Sequence, residues 1–353
     1  MTNPRIEIDL NKLSKNVQTV KNLFDPKGIQ FSAVTKAVSG SIEIANVFHD
    51  LGVHSLADSR IINIQKMRQA GLNSQYLLIR SPMLSEIEKV VEFADFSLNT
   101  ELSVIDALSK QALKTGKAHK IILIIDLGDL REGILPNEIE WMVDKVLHLQ
   151  GVRLVGIGTN LACFAGVAPT QEKMSELSLL AKDIQDKFDL QFELISGGNS
   201  ANYQWIKKTN DLGGINHMRI GETILLGRDT LTRKPIPGLH TDVFTLIAEV
   251  IESKTKPSQP SGEIAQNAFG KTPSFDKLGD VHRALLAIGE QDVDTKSIMP
   301  RSKINILGGT SDHLVIHSEK IKIKVGEELK FDLNYSALLR AFTSPYVQKV
   351  FLK

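Results

Sequence analysis

The sequence predicts an α/β fold, a (β/α)8 TIM-type barrel followed by a C-terminal β-rich domain. Three observations predict it. From residue 28 to about 230, short, near-continuous apolar runs alternate with stretches of helical period. Eight such runs can be read, and eight parallel strands covered by helices close a barrel. Beyond 230 the helical stretches stop and apolar runs follow one another directly. A doubly wound open sheet is the alternative for the first part.

Taken in order, the runs are 30–36 (QFSAVTK), 53–58 (VHSLAD), 76–80 (YLLIR), 95–99 (DFSLN), 120–127 (KIILIIDL), 152–158 (VRLVGIG), 191–196 (QFELIS) and 217–221 (HMRIG). Between them, 61–70, 101–114, 137–149 and 171–187 repeat apolar residues at helical spacing. The order breaks at RKPIPGLHTD (233–242), with two prolines and a glycine. VFTLIAEVIE, ALLAIGE, KINILGG, HLVIHS, KIKIKV and LKFDLNY then read as strands without helices between them. One long loop, 254–280, is rich in Lys, Ser, Pro and Gly. The expected domains are 1–232, the barrel, and 233–353, the β domain, with residues 1–10 able to pair with the latter.

Composition is that of an ordinary globular chain: 353 residues, 42% hydrophobic, net charge +1. Nothing in it calls for nucleic acid or a membrane surface as partner. One cysteine, Cys163, excludes an intrachain disulfide, and it is expected to be a small buried residue. The N-terminus lacks a basic region followed by an apolar run, and no stretch has membrane-span length. A cytoplasmic protein is expected.

Polar and glycine residues cluster where the apolar runs end, which in such a barrel is the face that carries the active site. Turn chemistry accounts for the Gly, Ser and Asn there. It does not account for Lys36, Arg60, Arg80, Arg131 and Arg219 in one ring, which suit an anion bearing phosphate and carboxylate. Lys36 ends a buried strand, where an amine is costly unless it has a purpose, and we read it as the group that holds an aldehyde cofactor as a Schiff base. SGGNS (196–200) follows a strand and precedes a helical stretch, 201–209, so its N–H groups and the Ser200 hydroxyl suit a phosphate. Ser200 as a plain helix cap is the simpler account of that motif. His49, His54, His119 and His148 read as structural or surface residues without partners.

With these residues in place, the chain resembles the fold type III pyridoxal-phosphate enzymes, the alanine racemase group, and within it the alanine/ornithine-racemase-like branch. VTKAVSG resembles the segment with the Schiff-base lysine, Lys36. DLGDLREG (126–133) resembles D-x-G-M-x-R-x-G, which implies Arg131 at the cofactor's phenolic oxygen. GNS (198–200) resembles the phosphate turn, implying Asn199 and Ser200 there. MRIGETILLG (218–227) resembles R-P-G-x-x-x-Y-G, implying Arg219 beside the pyridine nitrogen and the Gly221 amide on the phosphate. NYSALLRAFTSPYV resembles the stretch ending R-x-P-R-x-Y, which implies Tyr346 at the phosphate. The motifs stand in the family's order over nearly the whole chain.

The departures define the expected differences. Where the family has the tyrosine of G-Y-x-D-G, supplied by the partner subunit, this chain has Glu290 in Gly289-Glu290-Gln291-Asp292-Val293. The lysine carbamylated in some relatives falls at Ile124, a tyrosine following the Schiff-base lysine falls at Gly40, and a histidine falls at Asn160. The resemblance implies a homodimeric amino-acid racemase with pyridoxal 5'-phosphate as cofactor and ornithine, lysine or alanine as candidate substrates. Racemisation needs an acid/base on each face of Cα. Lys36 is expected on one, and Glu290, then Asp312, on the other. Asp292, His313 and Tyr335 are candidates for contacting substrate. GGTSDH (308–313) reads as a polar turn between strands, and no metal is expected. A D-amino-acid lyase or aldolase of the same fold, a cofactor-carrying homeostasis protein without turnover, and a cofactor-free barrel enzyme with a substrate Schiff base on Lys36 are the alternatives.

Overall fold

The computed structural model describes residues 2–318 and 322–353. Contacts divide them into two units: Asn11–Thr241, and the residues up to Leu10 together with Asp242–Lys353. Strand β1 (Arg5–Asp9) opens the chain and belongs to the second unit.

The first unit is a closed parallel barrel of β2 (Gln30–Val34), β3 (Ser55–Asp58), β4 (Gln75–Leu78), β5 (Phe96–Asn99), β6 (His119–Ile125), β7 (Val152–Thr159), β8 (Leu194–Ser196) and β9 (His217–Ile220). β9 closes on β2, with Ser32 opposite Arg219. Each expected run supplies one strand, so the open-sheet alternative is excluded. One apolar cluster draws Val34, Ala57, Leu77, Leu98, Ile124 and Val155 from successive strands, with Leu194 packed against it. Residues from seven strands meet in one cluster only inside the barrel. Each buried valine, leucine or isoleucine among them contributes roughly 1.5–3 kcal/mol by leaving water. Helices return the chain on the outside: Thr170 caps Gln171–Phe188 by accepting from Lys173 N at 3.3 Å. The 233–241 segment packs with this unit, because Ile236 N donates to Gly227 O at 2.9 Å and His240 N to Asn16 Oδ1 at 2.6 Å.

The second unit is built on β10 (Phe244–Pro257), β11 (Asp280–Leu286), β12 (Ile298–Pro300), β13 (Asn305–Gly309), β14 (Leu314–Ser318), β15 (Glu328–Leu333) and β16 (Gln348–Leu352). The order is β12-β15-β10-β11-β14-β13, and β1 joins β10 antiparallel and β16 parallel. Two expectations are corrected here. A helix, Tyr335–Thr343, stands where only strands were expected: the Asn334 side chain accepts from Ala337 N at 3.1 Å, and Ala337, Leu338, Ala341 and Phe342 give it one buried face. In the KIKIKV run, 322–325 form no strand, and 320–321 lie outside the described residues. Among the described residues, no helix is long and apolar enough to cross a membrane.

Arg5 anchors β1, its Nη1 and Nη2 donating to Glu328 Oε1 and Oε2 at 2.7 and 2.8 Å. These bonds to Arg5, and then one from Asn3, hold the Glu328 carboxyl well below the usual range, at about 2. A depressed carboxyl stabilises fully above the ordinary glutamate pKa, and that stabilisation is lost as pH falls towards about 2. Glu328 is 38% exposed, so solvent screening limits the effect to about 1 kcal/mol. Thermal melting at stepped pH should show Glu328→Gln less stable than the parent near neutrality and converging with it in acid. Parallel curves would contradict this.

Candidate active site at the C-terminal ends of the barrel strands

β2 runs straight into a 3-10 turn, Lys36–Val38, so the lysine stands at the strand's C-terminal end. Thr35 fixes that end: its N–H donates to Ala57 O at 2.8 Å and its hydroxyl to Asp58 Oδ2 at 2.8 Å. Asp58 is fully buried and also accepts from Arg60 N at 2.9 Å and Asn63 Nδ2 at 3.1 Å. Burial pushes its pKa up against those three bonds. Burial lowers the pKa of Lys36; Cys163 and Asp58 pull it back up, while Arg131 and Arg219 push it further down. The lysine is thereby biased towards the neutral amine, the form that reacts with an aldehyde.

Gly40 carries φ +59, and a Cβ there would lie 2.8 Å from Asn63 Cβ. The site of the family's tyrosine therefore accepts no side chain without moving the residue that holds Asp58.

Arg219, at the end of β9, is 3% exposed. Nη1 donates to Ser196 Oγ at 2.5 Å, and Nη2 to Thr159 O at 2.7 Å and Asn160 Oδ1 at 3.4 Å. Nε has no protein partner among the described residues. Burial lowers the guanidinium pKa to about 10, which leaves it charged at neutral pH. At the neighbouring turn Ser200 Oγ accepts from Gly221 N at 3.1 Å and Thr223 N at 3.2 Å. The cap of this turn is Asn199, not Ser200: its Oδ1 accepts from Ala201 N at 2.8 Å, and Asn202 Oδ1 accepts from Asn199 N at 3.1 Å. Gly198 is required here, since a Cβ would sit 2.3 Å from Asn202 Oδ1.

Not all of the expected cationic ring assembles. Lys36, Arg131 and Arg219 share one field, but Arg80 pairs with Glu86 at 3.3 Å and Arg60 is exposed. Arg131 is itself bound by the adjacent Glu132. Cys163 is exposed rather than buried, because it rides on a loop gathered by Asp129. Against burial, which raises it, backbone N–H groups of Phe164, Cys163, Val167 and Gly166 hold the Asp129 carboxyl below its ordinary range. Cys163 Sγ lies 3.4 Å from Asn199 Nδ2, so this loop touches the 196–200 turn. Glu222 follows Gly221 and is raised by burial, with Arg233 as its ion-pair partner. The histidines read as partnerless have partners: His119 and Ser97 lie 2.9 Å apart in the interior, His49 bonds Ser74, and His148 bonds Asp144 O.

In the β unit, the segments around Glu290 and Asp312 are neighbours, since Glu290 N donates to Thr310 O at 2.9 Å and Gln291 N to Ser311 O at 3.0 Å. Glu290 accepts from Thr295 Oγ1 at 2.5 Å and Arg340 Nη1 at 3.1 Å. Asp312 is exposed, and the Ser311 hydroxyl first and His313 next lower its pKa. Asp292 is corrected: it is 4% exposed, and its oxygens are taken by Ser344 Oγ at 2.9 Å and Gly289 N at 3.3 Å, so it holds the turn and offers no open oxygen to a substrate. Tyr335 begins the helix after β15, and Tyr346 is 66% exposed.

Comparison with known proteins decides the family. The pattern described as "Alanine racemase, N-terminal domain" matches residues 8–229. The chain belongs to the alanine racemase family. It is 40% identical over 353 residues to the ornithine racemase of Acetoanaerobium sticklandii, covering 99% of each chain. The lysine racemase of Thermotoga maritima is 35% identical, again over 99% of both. Among solved structures, the alanine racemase of Clostridium difficile 630 superposes with TM-score 0.75 at 21% identity, covering 100% of this chain and 96% of that one, a likeness of fold.

Family membership makes the chain a pyridoxal-phosphate-dependent amino-acid racemase. The residues present fit that cofactor. The Ser200 proton has no acceptor among the described residues, Asn160 Nδ2 is buried without a partner, and Arg219 Nε is unengaged. Donors without acceptors, beside an amine biased to neutrality, suit an anionic aldehyde.

Asp129→Ala should free the 163–167 loop, so that alkylation of the exposed Cys163 by a thiol reagent speeds up several-fold. An unchanged rate would show the loop held by other means.

Proposed function

We propose that the chain racemises a basic amino acid, ornithine ahead of lysine and alanine. The observation that carries the substrate is the full-length likeness to the ornithine and lysine racemases. The ionised, exposed Asp312 supports it as a partner for a side-chain ammonium, with His313 beside it; Tyr335 is a further candidate contact.

Bound pyridoxal phosphate supplies a ring that draws electrons from Cα of an attached amino acid and so acidifies its proton. Asn199, Ser200, the Gly221 amide and Tyr346 would hold the phosphate, Arg131 the phenolic oxygen and Arg219 the ring nitrogen. Arg219 offers donors and no acceptor, so it would donate to the ring nitrogen and leave that nitrogen unprotonated. That favours plain proton transfer at Cα. Lys36, lowered by burial, takes or returns the proton on one face. Glu290, oriented by Thr295 and Arg340, is our first choice for the other face and Asp312 the second. We infer a homodimer in which a partner subunit's β unit brings that second group. A chain with one cysteine suits the cytoplasm.

The test is α-proton exchange in deuterated water with L-ornithine, L-lysine and L-alanine. Ornithine should lead in kcat/KM, and Lys36→Ala should lose about a thousandfold or more. Preference for alanine would overturn the substrate assignment, and full activity of Lys36→Ala would overturn the role of the lysine.

A further inference from the structure

The residues assigned so far leave one buried polar row of the barrel without a role. His217 lies two residues before Arg219 on β9 and therefore on the same face of the strand. It is 3% exposed, and both ring nitrogens are engaged: Nδ1 is 2.8 Å from Ser196 Oγ, and Nε2 is 2.9 Å from Ser32 Oγ. Ser32 Oγ is in turn 2.6 Å from Ser55 Oγ. Ser196 is the hydroxyl that receives Arg219 Nη1.

The direction of this row follows from valence. Arginine only donates, so Ser196 Oγ accepts from Arg219 and must send its own proton onward. The acceptor within reach is His217 Nδ1. The ring's single N–H then sits on Nε2 and is donated to Ser32, whose proton passes to Ser55. Ser196, His217 and Ser32 each accept once and donate once, an alignment in which each bond strengthens the next. The other tautomer would aim an N–H at Ser196 and leave the serine proton buried without an acceptor. Burial, and then the charge of Arg219, hold the His217 pKa down to about 3, so the ring is neutral as this order requires.

We propose that His217 is a positioning residue for Arg219, acting through the Ser196 hydroxyl along a one-way hydrogen-bond chain that ends at Ser55. It fixes the Nη1 edge of the guanidinium while Thr159 O fixes the Nη2 edge, and the plane of the group is set for whatever Nε meets. The inference rests on the racemase reading of the Arg219 site.

The test begins with the full-length holoenzyme labelled with 15N-histidine, the His217 signals being those lost in His217→Gln. The neutral Nε2–H tautomer is expected to persist from neutrality down to about pH 5. An Nδ1–H or doubly protonated ring overturns the proposal. Kinetics and the absorption spectrum of bound pyridoxal phosphate are then compared among variants. His217→Phe should lower kcat about tenfold with KM changed less than about threefold, and should shift the cofactor spectrum. His217→Gln, whose amide can accept from Ser196 and donate to Ser32, should restore most of both. Wild-type kcat and spectrum in His217→Phe overturn the proposal, as does failure of His217→Gln to rescue. If His217→Phe does not fold by circular dichroism, Ser32→Ala takes its place. That variant should move the Nε2 resonance and the cofactor spectrum, and an unmoved pair overturns the proposal. Should the parent protein neither bind pyridoxal phosphate nor exchange an α-proton, the racemase reading falls instead, while the tautomer measurement still reports on the chain itself.

Discussion

Arg219 carries a positive charge inside the barrel, and among the described residues no carboxylate pairs with it. Burying an ion is expensive unless its hydrogen bonds are met. Here a serine hydroxyl, a backbone carbonyl and an amide oxygen meet them, supplied by the ends of β7 and β8 and the residue that follows β7. Those acceptors lower the cost without cancelling the charge. The uncancelled charge is what makes this end of the barrel a place for an anion. After burial, which is the larger cause for both, it also pushes the pKa values of Lys36 and His217 down. Replacing Ser196 by an acid would pair the guanidinium and remove its share of all three effects.

The barrel was legible because burial on both faces writes strands as unbroken apolar runs, and several of the eight end in residues that gather at the site. Lys36, Arg219 and Ser200 stood out because charge or a hydroxyl at such an end has few structural uses. What was less legible depends on contacts between distant segments. Asn199 rather than Ser200 caps its turn because Asn202 answers it, a reciprocity visible only in three dimensions. Cys163 is exposed because Asp129, 34 positions earlier, gathers its loop. His217 did leave a signal, an imidazole inside an apolar run two residues from a buried arginine, but its worth lies in serines from β2 and β8. The helix Tyr335–Thr343 was readable from its Asn cap and apolar spacing, and the surrounding strands obscured it.

The β unit shows how one substitution changes its neighbours. A tyrosine would need only a polar contact for its hydroxyl, whereas Glu290 draws in Arg340 and Thr295. Asp292, two residues on, keeps the turn by accepting from Gly289 N and reaching Ser344. One carboxylate of this short segment serves architecture, and the other stands among groups that chemistry can use.

β1 has a consequence for how the chain is made. It leaves the ribosome ahead of every barrel strand, yet it pairs with β16, whose register partner of Arg5 is Gln348. At synthesis rates of ~5–20 residues per second, roughly twenty seconds to a minute separates the two. During that interval residues 11–241 can close their barrel, because every strand of that sheet lies within them. β1 can meet β10 once residues 244–257 emerge, but its other edge must wait, unpaired, until β16 arrives. β1 is thus a natural point for a chaperone to hold, and a chain cut before β16 would carry a finished barrel and a β1 with one edge unsealed.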